Sequence, residues 1–321
     1  MQICRKYIFL CWFAGSVLFL LSGCLREDRS ECEQDLTLKF RYAGSPGNEQ
    51  AGVPEIDHLS VFVFGGDGKF VKHFNDRAIH IDDSYSMALA LPSGDYRFVV
   101  WAGLDENYLL PDCVAGETDI HDLILRIDRK SDNTVPELPS LLYHGVCEPV
   151  NFQSMEGKTV IVDLWRVTNA IRVITYHLNP DSDHAISIEA DNGSYYYNRE
   201  IAPDSLLIYM PVYAVSRAQA SPLIADFNVM RLEPGRNARL KIKDGTGTTQ
   251  YDVGLIDKLI GLNPRVNFEY DHDFVIEISF DGGYIPVCIK INGWEIIEEG
   301  DGLAQLCSDK KLPSDMFFRR E

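Results

Sequence analysis

The sequence has too little positive charge to suit a polyanion. Its 321 residues carry 30 Lys and Arg against 48 Asp and Glu, a formal net charge of −18. Such a field repels phosphate backbones, so nucleic acid is not an expected partner. Catalytic signatures are missing too. There is no G-x-S-x-G nucleophile elbow, no H-E-x-x-H helix and no G-x-x-x-x-G-K-[ST] phosphate loop. "GGDGKF" has Gly68 and Lys69, but Phe70 stands where a hydroxyl is needed, and the stretch reads as a hairpin turn. The eight cysteines contain no C-x-x-C pair, which removes the common zinc and redox motifs. The eight histidines are scattered. Two acidic stretches, Asp244–Thr248 and Asp271–Asp273, hold oxygen ligands but lack the twelve-residue calcium pattern, and both read as solvated turns. No enzyme activity, catalytic residue, metal site or cofactor is expected.

One long apolar run is present, and it stops at a cysteine. Arg5 and Lys6 precede an uncharged stretch from Tyr7 to Leu25 that contains "LSGC", Leu21 to Cys24. A basic start, an apolar run and small residues before Cys24 make a secretory signal of 23 residues. The four residues resemble the bacterial lipobox, whose cysteine is acylated before cleavage on its N-terminal side. A retained membrane helix is the alternative, since the run reaches the lower limit for a span. The acid-rich stretch after Cys24 and the small residues before it favour processing. Losing Arg5 and Lys6 leaves 28 basic residues against 48 acidic ones, a net charge of −20 on the mature chain. That surface repels anionic headgroups, so acyl chains on Cys24 must hold it to a membrane. A single chain does so only marginally, and two or more do so stably. The cysteines beyond Cys24 are Cys32, Cys113, Cys147, Cys288 and Cys307, an odd number with no pairing fixed by sequence.

Residues 24–35 read as a charged tether. Beyond it, period-two alternation dominates: "LTLKFRY" from Leu36, "HLSVFVF" from His58, "SMALAL" from Ser86, "KTVIVDLW" from Lys158 and "DFVIEISF" from Asp273. Gly, Pro, Asn and Asp punctuate these runs, including "PSGD" after Leu91 and Asn192-Gly193-Ser194, which also fits the glycosylation pattern. Helical spacing is short, near Asp119–Ile127 and best in Gly254–Gly261. The pattern predicts an all-β chain of two sandwiches, 36–152 and 153–300, with a tail at 301–321. Trp101 is expected in the first core, and Trp165 and Trp294 in or beside the second.

The ordered set "CLREDRSEC", "LTLKFRY", "LPSGDYRFVVWAGL", "VDLWRVTNAIRV", "IEADNGSYYYNRE" and "INGWEI" resembles the FimB-type, or minor-fimbrium anchor, family of fimbrial anchor and assembly lipoproteins. The resemblance implies two tandem transthyretin-like Greek-key sandwiches. It implies a surface-exposed lipoprotein of the outer membrane, held through Cys24, that anchors fimbriae and binds pilin subunits by β-strand addition. A surface glycan-binding lipoprotein is the competing reading, and exposed, coplanar aromatics around a groove would support it.

Overall fold

A computed structural model of the chain describes residues 34–43, 56–82, 84–152, 158–178, 183–214, 222–281, 286–292 and 294–297. Cys24, the tether before Gln34, the side chain of Trp294 and the tail 301–321 lie outside the described residues. The first half contains β1 (Gln34–Tyr42), β2 (His58–Gly65), β3 (Phe70–Arg77), β4 (Ser86–Leu91), β5 (Gly94–Ala102), β6 (Tyr108–Leu109), β7 (Leu125–Ile127), β8 (Thr134–Val135), β9 (Tyr143–Val146), β10 (Val150–Phe152) and β11 (Lys158–Arg166). The second contains β12 (Thr168–Tyr176), β13 (Ala185–Ala190), β14 (Ser194–Tyr195), β15 (Leu207–Tyr209), β16 (Val212–Tyr213), β17 (Leu223–Met230), β18 (Ala238–Lys243), β19 (Thr249–Gly254), β20 (Asp273–Phe280), β21 (Pro286–Ile291) and β22 (Trp294–Ile297). Helix α1, Leu255–Leu262, follows the second helical pattern read from the sequence. The first such pattern yields only a 3-10 turn, Ile120–Asp122, because β7 begins three residues later.

The architecture is the expected one: all-β, two sandwiches in series. In the first, one layer is β4-β1-β11 and the other is β3-β2-β5-β9, with β10 continuing along β5. Alternation fills the space between them with Leu36 and Leu38 of β1, Leu59 and Val61 of β2, Leu89 of β4 and Phe98 of β5. In the second, β16-β17-β12-β20-β21-β22 faces β19-β18-β13-β15-β8. Ile171, Val173, Ile188, Phe227, Leu240 and Ile276 form its centre. The "PSGD" turn does not make a hairpin. It carries the chain from β4 in one layer to β5 in the other, where Tyr96 donates its hydroxyl to the Pro92 carbonyl at 2.9 Å. The Tyr96 ring passes so close to Gly94 that a Cβ there would lie 3.1 to 3.3 Å from its atoms, which explains the Gly-x-Tyr spacing.

Two expectations need correction. Lys158–Arg166 was expected to open the second sandwich, but β11 belongs to the first. It runs parallel to β1 from Leu36↔Lys158 to Tyr42↔Leu164, then pairs antiparallel with β9 at Trp165 and Arg166. Sheet membership therefore changes at Val167 and not near residue 153. Trp101 was expected in the first core. Its neighbours Val100 and Ala102 point there, but period two turns Trp101 and Val99 to the opposite face. That face is buried as well, against the second sandwich. Trp101 is fully buried, with ring centroids 4.3 Å from His144 and 6.2 Å from Tyr195. The sandwiches are also stitched by backbone. β8 pairs parallel with β15, and β14 joins β7 and β6 in a small third sheet. Tyr195 donates its hydroxyl to Val167 O and accepts from Arg231 N, both at 2.7 Å.

Because Trp101 belongs to the core that the halves share, Trp101→Ala should cost about 3–5 kcal/mol. Both halves should also lose stability together. Urea unfolding followed by far-UV circular dichroism measures this. A loss below about 1 kcal/mol would contradict the shared core.

Candidate functional site

The acidic stretches spend their oxygens on the protein itself. Asp244 Oδ1 accepts from Thr246 N, Thr246 Oγ1 and Thr248 N at 2.7 to 2.9 Å, and Oδ2 accepts from Gln250 Nε2 at 2.8 Å. These hydrogen bonds, that from the Thr246 hydroxyl first, hold its carboxyl down to about 2. Asp271 accepts from Asn267 N, and Asp273 makes a two-pronged pair with Arg166 at 2.7 and 3.0 Å. Among the described residues no three His, Cys, Asp or Glu side chains are grouped to hold a metal. The glycosylation-pattern Asn192 is buried. Its amide donates to Met230 O and Arg231 O and accepts from Tyr209. Among the described cysteines, Cys113 and Cys147 are free thiols and Cys288 is disulfide-bonded.

The two tryptophans whose side chains are described, Trp101 and Trp165, do not form a flat platform. Trp101 is enclosed. Trp165, on β11, lines a cleft of about 420 Å³ with His144, Val146, Ile161, Asp163 and Arg199. The Arg199 guanidinium lies 4.4 Å over the Trp165 ring, and Tyr270 packs against it at 5.9 Å. The ring face that a sugar would stack on is already taken by a cation.

What the fold leaves open is a sheet edge. Each lateral opening of the two sandwiches is managed differently. On one side of the second sandwich, α1 packs on β18, β19, β21 and β22, with Leu255, Ile256, Leu259 and Leu262 buried. On the other side, Tyr213 of the two-residue edge strand β16 reaches across to accept from Ile186 N at 2.9 Å. In the first sandwich the open side lies between β3 and β4. Here β3 is twisted by a bulge opposite Val63 and Phe64 and carries Lys72, His73, Asp76 and Arg77. Strand β4 has none of these guards. It is six residues long, reads "SMALAL", contains no charge, and pairs only with β1 among the described residues. Met87, Leu89 and Leu91 point into the core, while Ser86 and Ala88 are exposed.

Comparison with known proteins gives this edge a context. Residues 29–300 match the family described as fimbrillin-A associated anchor proteins Mfa1 and Mfa2. The chain belongs to this family. The minor fimbrium anchoring subunit Mfa2 of Porphyromonas gingivalis is 22% identical over 296 residues, 86% of this chain and 90% of that protein. The major fimbrium anchoring subunit FimB of the same species is 26% identical over 182 residues, 54% of this chain and 57% of that protein. The solved structure of the Mfa2 fimbrial anchor superposes with a TM-score of 0.70, covering 84% of this chain and all of that one at 21% identity. A Bacteroides thetaiotaomicron protein for which polysaccharide binding has been suggested gives 0.74, covering 83% and 99% at 24% identity. Both structural matches support the fold.

Two of the motifs that carried the family resemblance prove to be fixtures of the junction. Arg166 and Asn169 of "WRVTN" tie β11 and β12 to the 271–273 turn and to Leu232 N. "DNGSY" supplies Asn192 and Tyr195. Two histidines sit beside them, His144 buried and His272 half-buried. Burial pushes the His144 imidazole down to about 3, and burial together with the nearby Arg166 charge pushes His272 down to about 4. Both are depressed below the ordinary value of about 6.5, so the fold holds them neutral. Their contribution is intact above about pH 6.5 and is lost as pH falls towards 4 and 3. At pH 5 each should cost about 2 kcal/mol, from 1.4 kcal/mol per unit below 6.5. Denaturant titrations at pH 7 and pH 5 test this, and His144→Gln should remove part of the difference. A stability unchanged between the two pH values would show that both imidazoles titrate normally.

Proposed function

We propose that this chain is an outer-membrane lipoprotein that anchors fimbriae and helps assemble them. Lipid on Cys24 holds it to the membrane, and it binds a pilin subunit by β-strand addition. Family membership across residues 29–300 carries the reading. The geometry agrees with it in kind. The described part is a pair of sandwiches in which the uncharged edge strand β4 has β1 as its one strand partner, and none of its helices is long and apolar enough to cross a membrane. The one α-helix of eight residues among the described residues packs inward, with Leu255, Ile256, Leu259 and Leu262 buried. A mature charge of −20 argues against a contact with another acidic subunit that relies on charge alone. Strand addition draws its affinity from main-chain hydrogen bonds and its selectivity from alternate side chains. The glycan-binding alternative loses its main support, since Trp101 is enclosed and Trp165 is stacked under Arg199.

The membrane arm of this reading is tested by Cys24→Ala. The variant should leave the membrane and take bound pilin with it. Retention of the variant after a carbonate wash would refute lipid anchoring. The assembly arm is tested by salt. A backbone ladder should hold at about 1 M NaCl, where the Debye length is about 3 Å and exposed ion pairs are screened. Dissociation of the anchor–pilin complex in that salt would mean that charge carries the joint.

A further inference from the structure

We propose that the cleft beside Trp165 is a docking pocket for a basic side chain, lysine or arginine, presented by a partner protein. The assignment goes beyond the anchor reading and does not depend on how pilin is held. Three strands place the cleft. Trp101 of β5, His144 of β9 and Trp165 of β11 are successive partners across one face. Trp101 lies in the core shared with the second sandwich, whereas Trp165 lines the cleft. Period two sets Val146 on the same face as His144, and Ile161 and Asp163 on the same face as Trp165. The turn from Tyr196 to Glu200 supplies the remaining wall. It is closed by Tyr196 N on Glu200 O at 2.9 Å and Arg199 N on Tyr196 O at 3.0 Å. The volume of about 420 Å³ falls within the range of ligand pockets, about 300–1,000 Å³.

Three observations set the chemistry of the occupant. His144 is the one buried residue of the lining, with 1% of its surface exposed. Its Nε2 lies 2.8 Å from the Tyr197 carbonyl, which can only accept, so Nε2 carries the proton and Nδ1 remains an acceptor. No residue partners that Nδ1. The lining also holds two carboxylates, Glu148 and Asp163. Arg41 grips Asp163 from its exposed side at 2.7 and 3.0 Å, while Glu148 has no partner among the described residues. Arg199, the one cation of the lining, is already committed to Glu269 at 3.2 Å and to the Trp165 ring. The charge left unspent is therefore negative. Lastly, Val146 and Ile161 are large aliphatic residues left 40% and 58% exposed.

A basic side chain answers all three at once. Its aliphatic stem covers Val146 and Ile161 while its head stays among the acceptors at the rim. A plain aliphatic residue would cover the same surface and leave those acceptors desolvated. An acidic residue would meet Glu148 and Asp163 head-on. The formal charge of −18 adds a field that draws in cations.

The test uses the full-length protein in nonionic detergent, with fluorotryptophan in place of tryptophan. The probes are capped tripeptides with arginine, lysine, norleucine or glutamate between two glycines. Trp165→Phe identifies the Trp165 fluorine signal. The arginine and lysine peptides should move that signal and leave the signal of the enclosed Trp101 in place. Glu148→Gln should weaken the response about fivefold, the size expected of one exposed ion pair near 1 kcal/mol. Ile161→Ser should weaken it as well, and both positions are exposed, so both variants keep the fold. No movement with either basic peptide would overturn the proposal. So would an equal response to norleucine, which would mark a merely apolar surface, or a stronger response to glutamate, which would make Arg199 the receptor. Unchanged affinity in Glu148→Gln would overturn it too. None of these outcomes touches lipid anchoring or pilin binding, which stand or fall on their own tests.

Discussion

Two neighbouring strands, β2 and β5, are buried on both of their faces, and the molecule is organised around them. Phe98, Val100 and Ala102 fill the first sandwich, while Val99 and Trp101 belong to the core of the second. A strand of this kind cannot satisfy either core alone. Losing the second sandwich would expose Trp101 and Val99, together with Phe62 and Phe64 beside them on β2. The polar fixtures around the same junction follow from that burial. Backbone groups at Val167, Arg231 and Leu232 pass beneath the surface and must find partners. Tyr195 and Asn169 supply them at 2.7 Å. The surface ion pairs are a lesser matter. Arg41 lies opposite Asp163 in register, and Arg239 reaches Asp252 diagonally, but both pairs sit in water, where such pairs add little.

The treatment of edges separates the two sandwiches. The second closes its openings with α1 and with Tyr213. The first leaves β4 with β1 as its one strand partner among the described residues. Unprotected edges invite aggregation, so a six-residue uncharged edge on an otherwise acidic surface is a costly feature to keep unless it is used. The formal charge of −18 offsets that hazard by keeping copies of the chain apart.

The sequence made the class of fold legible because the alternation in β1, β2, β4, β11 and β20 is plain and the turns carry Gly, Pro and Asn. The short helix 255–262 was legible for the same reason. Partnership was less so. Period two fixes which residues share a face, but not which sheet covers that face, so Trp101 was given to the wrong core and β11 to the wrong sandwich. Parallel pairing of β1 with β11 spans 122 residues and leaves no local signature. The family motifs were readable as strings, yet their work at the junction depends on contacts such as Asn192 with Met230, which no spacing rule announces.

The placement of β1 has a mechanical consequence. It is the first described strand, and it lies in the middle of its layer, with β11 on one side and β4 on the other. A pull on Gln34 along the strand axis would load both ladders in shear, so the paired residues resist together. An edge strand pulled sideways would instead open one bond at a time. The load would pass through β11 into β9 and β5, and from there through the shared core to the far sandwich. A body wired in this way behaves as one rigid link between whatever holds its first strand and whatever grips its surface.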